Sequence, residues 1–473
     1  MPTPDAPPGL PRPDAVALRA ASARHLFQHF AAMDAVAAGR TPMIVRGEGC
    51  TVWDTDGRSW FDGLAGLFTV QVGYGRPELA DAAATQAREL SYFPVWSAAH
   101  PMAALLAQRM AEAAPGDLNR VFFTSGGSEA VESAFKLARA YWKAVGAPAK
   151  TKVISRNLAY HGTTMGALSI TGLPAFKTAF EPLVPGAVKV ANTNWFRPAL
   201  ADAAAAGPAA FSAAAADAIE QAILTEGADS IAAVFLEPVQ NAGGCFAPPD
   251  GYWQRVREIC DRHDVLLVSD EVICGFGRLG HLYACERLGV VPDMVTSAKG
   301  MTSGYAPLGA VTITDRVAAP FVAGDASFAH GLTFGGHPLS CAVSMANLDL
   351  FDKLDLCASV LERQDGFERR LCDLAAAQPA IGDVRGAGFF WALEIVRPGV
   401  EPSAPQSRPD AVAVKAFLAP WLNEHGLLCR VDDRGDSVLQ LSPPLVATDE
   451  QLDTCVATIA DGVDALRSAG ILR

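Results

Sequence analysis

Basic runs, long apolar stretches and closely paired cysteines are all missing from this sequence. With 38 Lys and Arg against 51 Asp and Glu, its 473 residues carry a formal charge of −13 and no long Lys/Arg run. That balance disfavours nonspecific binding to nucleic acid or to an anionic membrane surface, both of which need clustered positive charge. The Ala-rich stretch Ala203 to Ala216 is broken by Gly207 and Pro208. It falls short of the ~20 apolar residues of a spanning helix, and no segment reads as one. The start, MPTPDAPPGLPRPD, is Pro-rich and lacks the apolar heart of a secretion signal, so 1–15 is expected to be a disordered lead-in. The ten cysteines form no C-x-x-C pair, and a chain of this size needs no disulfide staples. Reduced thiols in the cytoplasm and no metal site are the expectation.

What is present is apolar material for a large core: half of the residues are hydrophobic and only 19% are charged. Length suggests about three domain equivalents at roughly 150 residues each. Val16 to Ala38 reads as a helix, and Gly47 to Asp62 as short β-like runs with turns at Asp56-Gly57 and Asp62-Gly63. From about Gly73 to Pro338, helices alternate with short apolar runs at Val121–Thr124, Lys152–Ser155, Ile231–Leu236, Val265–Ser269, Met294–Ala298 and Leu308–Ile313. Several are too continuously apolar for a strand with one wet face and suit a sheet covered on both sides. Strands alternating with helices predict an α/β domain with a mostly parallel sheet. Ala199 to Gly227 is expected to be helical and peripheral, broken at Gly207-Pro208. From about Ser340 a long helix should lead into an α+β C-terminal region.

Three segments carry chemistry. Thr124-Ser125-Gly126-Gly127-Ser128 follows a strand and opens a helix whose Val131, Ala134, Phe135, Ala138 and Trp142 form one apolar stripe. Small residues at such a turn let backbone amides approach an anion, and the helix start adds favourable partial charge. Val265 to Val272 ends a strand in Asp270-Glu271, placing a carboxylate at the edge where open α/β folds bind ligands. A buried carboxylate should face a cation or a protonated ring nitrogen, or else cap the next turn or pair with Arg278. Met294 to Gly300 ends a third strand in Lys299, whose amine could be lowered in pKa and form an imine, or could equally snorkel to the surface.

Ser269-Asp270-Glu271-Val272-Ile273-Cys274-Gly275-Phe276-Gly277-Arg278, then Ser297-Ala298-Lys299-Gly300 and Pro307-Leu308-Gly309, resemble the class III pyridoxal-phosphate (PLP) aminotransferases. Tyr160-His161-Gly162, Leu236-Glu237-Pro238-Val239-Gln240 and His330 to Pro338 agree in the same order, so the resemblance spans about residue 40 to near the C-terminus. It implies a large PLP-binding α/β domain of the fold-type I kind over 73–339. A smaller α+β domain would be built from 16–72 and 340–473. It implies that Lys299 holds the cofactor covalently and shuttles a proton, and that Asp270 keeps the pyridine nitrogen protonated. Tyr160 and Val272 would lie against the two ring faces, Gly127 and Ser128 would bind the phosphate, and His161 and Glu237 would support the site. Thr333 would reach the phosphate of a neighbouring subunit, making a homodimer, or a tetramer built from dimers.

Within the family the sequence is similar to the branch that moves amino groups from ω-amino acids or amines to a keto acid such as pyruvate. That branch often carries Trp where this chain has Phe68, and Gly126 stands where relatives often have Ser. Phe68 and Trp96 would form the apolar side of the pocket. Arg430 would pair with a substrate carboxylate, with Arg434 as its rival, unless Arg430 is a surface residue paired with Asp432 or Asp433. An aminomutase or racemase would use the same cofactor residues, and a scaffold that lost catalysis is the alternative from another class. Gly275 to Gly280 spells G-x-G-x-x-G but does not follow its strand directly, as a dinucleotide site requires. His25 and His29 lack the glutamate of a zinc-protease helix, and Ser128 lacks an esterase context.

Overall fold

The computed structural model describes residues 14–31, 33–38 and 41–472, so the expected lead-in over 1–15 lies almost wholly outside the described residues. Seven strands form the central sheet: β1 (Leu118–Thr124), β2 (Lys152–Arg156), β3 (Ala187–Val190), β4 (Ile231–Leu236), β5 (Leu266–Asp270), β6 (Met294–Ser297) and β7 (Gly309–Thr314). Their order is β1-β7-β6-β5-β4-β2-β3. β6, β5, β4, β2 and β3 pair in parallel, while β7 runs antiparallel to both β6 and β1. The six predicted runs are all strands; β3 and the reversed direction of β7 are added by the structure.

Alternating side chains of these strands feed two cores, which is why successive residues in the middle of the runs are apolar. Val153, Ala233, Phe235, Leu266 and Val268 pack with the helix Gly127–Ala144 through Val131, Ala134, Phe135, Ala138 and Trp142. Ile154, Val234, Leu236 and Leu267 pack on the other face against the helices Pro208–Glu226 and Tyr252–Arg262. The Ala-rich segment is thus helical and broken where expected, but it covers the sheet instead of lying peripherally: Ala215, Ala216, Ile219 and Ile223 are all fully buried.

The expected helix over Val16–Ala38 is two pieces, Ala15–His25 and Met33–Ala37. Asp14 caps the first by accepting from the amide of Ala17 at 2.7 Å, but none of its residues is buried, and Leu26 is already extended. Without a packed face, nothing sustains it further. Beyond the central sheet, Ile44–Glu48, Thr51–Asp54, Ser59–Asp62 and Leu427–Leu428 form one four-stranded sheet. Leu427 and Leu428 pair in parallel with Phe61 and Asp62, which joins the two ends of the chain. A second sheet, Ile381–Ala387, Phe390–Ile395, Val438–Leu441 and Arg430–Asp432, is antiparallel. The expected helix near Ser340 begins at Pro338, runs to Lys353, and is followed by Leu356–Ala377. No helix among the described residues is long and apolar enough to cross a membrane.

Candidate active site

Because β1, β2, β4, β5 and β6 point the same way, the residues that follow them meet at one edge of the sheet. A cavity of about 420 Å³ lies there, lined by Gly127, Ser128, Tyr160, His161, Glu237, Asp270, Val272 and Lys299. Eight of the residues singled out from sequence are therefore brought together, from the ends of these strands and the segments that follow them.

Asp270 and Glu271 separate cleanly at the end of β5. The carboxylate of Asp270 faces the cavity, where Oδ2 meets Nδ1 of His161 at 2.7 Å and Oδ1 accepts from the hydroxyl of Thr296 at 3.0 Å. Glu271 turns away and accepts from the amides of Ala284 and Cys285 and from the hydroxyl of Ser269. Burial pushes its carboxyl up to about 7. Glu271 is the turn-capping carboxylate, and Asp270 is the one left for a ligand. Arg278 pairs with neither; it is buried and donates to the carbonyls of Phe389 and Pro443 and to Gln71. The G-x-G-x-x-G segment around it is a packed turn, with the Cα of Gly280 facing Leu361.

Lys299 stands one residue beyond the end of β6 with a left-handed backbone, φ +44°. Its amine makes no hydrogen bond or ion pair among the described residues, and burial, ahead of the charges around it, brings it down to about 8. An amine of that kind is a nucleophile and a proton carrier near neutral pH. Glu237 is buried and accepts from the amides of Tyr160 at 3.2 Å and Asn241 at 3.0 Å, with its carboxyl raised by burial. Tyr160, half-buried, sets the ring of Phe176 edge-on at 6.3 Å, and burial raises its phenol.

The turn after β1 is built for close approach. A Cβ on Gly127 would come within 2.7 Å of Cγ1 of Val272, so only glycine leaves that wall intact. The hydroxyl of Ser128 accepts from the amide of Thr163 at 3.1 Å. The amides of Gly127 and Ser128, at the start of an 18-residue helix, have no acceptor within the helix. Nε2 of His161 is buried without a hydrogen-bond partner among the described residues. A phosphate-sized cradle of free amides, an unengaged amine and a carboxylate held by three donors fit a phosphorylated pyridine aldehyde such as PLP.

The remaining predicted residues lie outside this cavity. Phe68 is 1% exposed, under a tight loop in which Asp62 accepts from the amides of Leu64 and Gly66 and from the hydroxyl of Tyr74. It packs edge-on against Phe390 at 5.5 Å, and the guanidinium of Arg430 covers its ring at 4.8 Å. It is therefore a buried support under Arg430 and not an open pocket wall. Arg430 pairs with neither Asp432, which holds Arg434, nor Asp433, which holds Lys415. Its charge is nevertheless felt at Lys299 and, behind that of Arg434, at Tyr160. Trp96 is 69% exposed and lines a separate apolar hollow of about 830 Å³ with Phe122, Phe328 and His330. Thr333 is exposed, its carbonyl accepting from Tyr92 at 2.8 Å. Thr296 and Cys274 were not among the sequence candidates. Thr296 sits on the strand that leads to the lysine, three residues before it, which is the one signal that pointed there.

A family model described as Aminotransferase class-III matches residues 35–463. The chain is 54% identical over 451 residues to a probable aminotransferase of Mycobacterium tuberculosis, covering 94% of each protein. It is 35% identical over 428 residues to a putrescine–pyruvate aminotransferase of Pseudomonas aeruginosa, covering 90% of this chain and 91% of that one. Its fold matches the crystal structure of a PLP-bound amine transaminase from an uncultivated Pseudomonas species with a TM-score of 0.88. Identity there is 34%, over 93% of this chain and 99% of the other.

Proposed function

Because the chain belongs to the class III aminotransferases, we propose that it moves an amino group from an amine or ω-amino acid to a keto acid such as pyruvate. Two half-reactions would share one pocket and one lysine. The observation that carries this reading is Arg430, a guanidinium without an ion pair among the described residues, resting on Phe68 within electrostatic reach of Lys299. When it points to the substrate it offers a bidentate site for a carboxylate. When it withdraws, it exposes aromatic surface to a donor without one.

Bound PLP supplies an aldehyde that condenses with amines and a ring that takes up the electrons left when the donor carbon loses its proton. The chain does the rest. Lys299 would hold the cofactor through Nζ and, once displaced by substrate, carry the proton from one carbon to the other at that same atom. Asp270, aligned by His161 and Thr296, would keep a proton on the ring nitrogen. Gly127 and Ser128 would hold the phosphate through their amides, with Val272 and Tyr160 flanking the ring. Glu237, tied to the amide of Tyr160, would fix that tyrosine's loop.

The exposed Thr333 supports a homodimer in which this residue reaches the neighbouring subunit's site. The apolar hollow around Trp96 supports the same assembly. The test is a panel of amines, ω-amino acids and α-amino acids with pyruvate, following alanine. Alanine from donors with distant or absent carboxylates supports the reading; transfer to 2-oxoglutarate alone removes it. Borohydride trapping with PLP separates an enzyme from a scaffold, because a scaffold would show no adduct at Lys299.

A further inference from the structure

Arg430 and Asp432 belong to one short strand, paired antiparallel with Val438–Leu441. A strand's period of two puts them on the same side, and Asp432 is 3% exposed. A buried aspartate two residues from a buried guanidinium is its natural partner, yet the two are not paired. The chain turns after Asp432, and Arg434 folds back onto it. The backbone amide of Arg434 donates to Oδ1 at 3.0 Å. Its Nε donates to Oδ1 at 2.7 Å and Oδ2 at 2.9 Å, and Nη2 also donates to Oδ2. The far side of Arg434 lies over the ring of Phe176 at 5.8 Å, which fixes its place. Asp433, the other carboxylate in the turn, is taken by Lys415 at 2.9 Å. Among the described residues Arg430 forms no ion pair: it rests on the ring of Phe68 and feels Asp432 only at longer range.

We propose that Arg434 acts through Asp432: by occupying both oxygens of that carboxylate it keeps Arg430 unpaired and available to a carboxylate on the substrate. Arg434 is then a positioning residue that sets substrate class without touching substrate. The physical reason is competition for one acceptor. A carboxylate that already accepts the fork of one arginine has little left to offer a second, so Arg430 gains more from a substrate carboxylate than from Asp432. Remove Arg434, and Asp432 becomes a buried, unpaired charge whose nearest remedy is Arg430. The substrate carboxylate would then have to displace an internal one. This inference rests on the reading of Arg430 as the carboxylate binder.

Four variants of the PLP-loaded enzyme test it: R434Q, R434K, the double variant R434Q/D432N, and R430Q. Each is assayed for KM and kcat with pyruvate, and in a single-turnover half-reaction with an apolar amine. R434Q is expected to raise KM for pyruvate about tenfold, the scale of one charge-assisted hydrogen bond, with the apolar-amine half-reaction at the wild-type rate. R434K, which keeps a cation on Asp432, should fall between. R434Q/D432N removes the competing charge and should return KM to near wild type; it also lacks the unpaired carboxylate that could unfold R434Q. If the double variant is as impaired as R434Q, Arg434 contacts the substrate itself and the inference is overturned. If R434Q leaves the pyruvate KM unchanged while R430Q raises it, the inference is overturned and the reading of Arg430 stands. If R430Q leaves that KM unchanged, both fall.

Discussion

Nδ1 of His161 lies 2.7 Å from Oδ2 of Asp270, with both groups buried, and Thr296 holds the other oxygen. With the amide of Val272, which also donates to Oδ1 at 3.3 Å, three donors fix the direction of one carboxylate while leaving its negative charge uncompensated by any arginine or lysine in contact among the described residues. Asp270→Asn keeps the shape and loses the charge, so the fold should survive and the half-reaction rate should fall on the order of 10²–10³-fold. Single-turnover spectroscopy with cofactor bound measures it. Near-normal turnover would reassign the ring-nitrogen partner to Glu237.

Glu271 should behave in the opposite way. Its oxygens close the amides of Ala284 and Cys285 and the hydroxyl of Ser269. Glu271→Gln puts an amide NH₂ against donors, so the melting temperature should drop by several degrees, the equivalent of about 1–3 kcal/mol for unsatisfied buried donors. Turnover per folded molecule should change little. A loss of activity without a loss of stability would contradict the assignment.

Lys299→Ala should abolish transamination yet leave noncovalent cofactor binding, because the cradle amides and Asp270 remain. Equilibrium dialysis with PLP and alanine production by the same sample settle it together. Wild-type turnover by the pure variant would exclude this lysine.

The amine of Lys299 is brought down from 10.5 to about 8, chiefly by burial. Only the unprotonated amine attacks an aldehyde, so PLP capture by the cofactor-free protein should speed up as pH rises through about 8 and then level off. Stability follows the same window. Below about 8 the amine is protonated folded and unfolded, and the folded state bears the full cost of a buried charge. Between about 8 and 10.5 the unfolded chain binds the proton and the folded one does not, so stability rises with pH. Urea melts of the cofactor-free protein and its Lys299→Met variant, run on either side of pH 8, should show the slope in the first and its loss in the second.

Gly127→Ala should weaken PLP binding about tenfold, because the new Cβ meets Val272 and such overpacking costs about 1–3 kcal/mol. Val272→Ala in the same chain makes room and should recover part of the loss. Cofactor titrations of the single and double variants measure it; equal affinities for wild type and Gly127→Ala would place the phosphate elsewhere.

The central sheet was legible because β2, β4, β5 and β6 are buried on both faces and carry consecutive apolar residues, and because their ends concentrate the polar ones. Lys299 and Asp270 stood out for that reason. The edge strand β3, four residues long, interrupted by Lys189 and only partly buried, has no such signature. The reversed direction of β7 is a property of connections, which local pattern does not record. Asp270 and Glu271 looked alike in sequence, since which one faces the cavity depends on the pleat and on amides contributed by Ala284 and Cys285. The fate of Arg430 was equally hidden. It is decided by a turn that lets Arg434 reach back two residues, a choice that any count of nearby charges leaves open.

The parallel pairing of Leu427 and Leu428 with Phe61 and Asp62 has a consequence for biosynthesis. The hairpin from Thr51 to Asp62 emerges early from the ribosome, but its remaining edge stays open until nearly the whole chain has been made. An unpaired edge invites pairing with another nascent chain. That edge of Ser59–Asp62 is therefore completed only by a segment more than 360 residues further along the chain. A circular permutant that places residues 427–428 beside the hairpin should close the edge earliest.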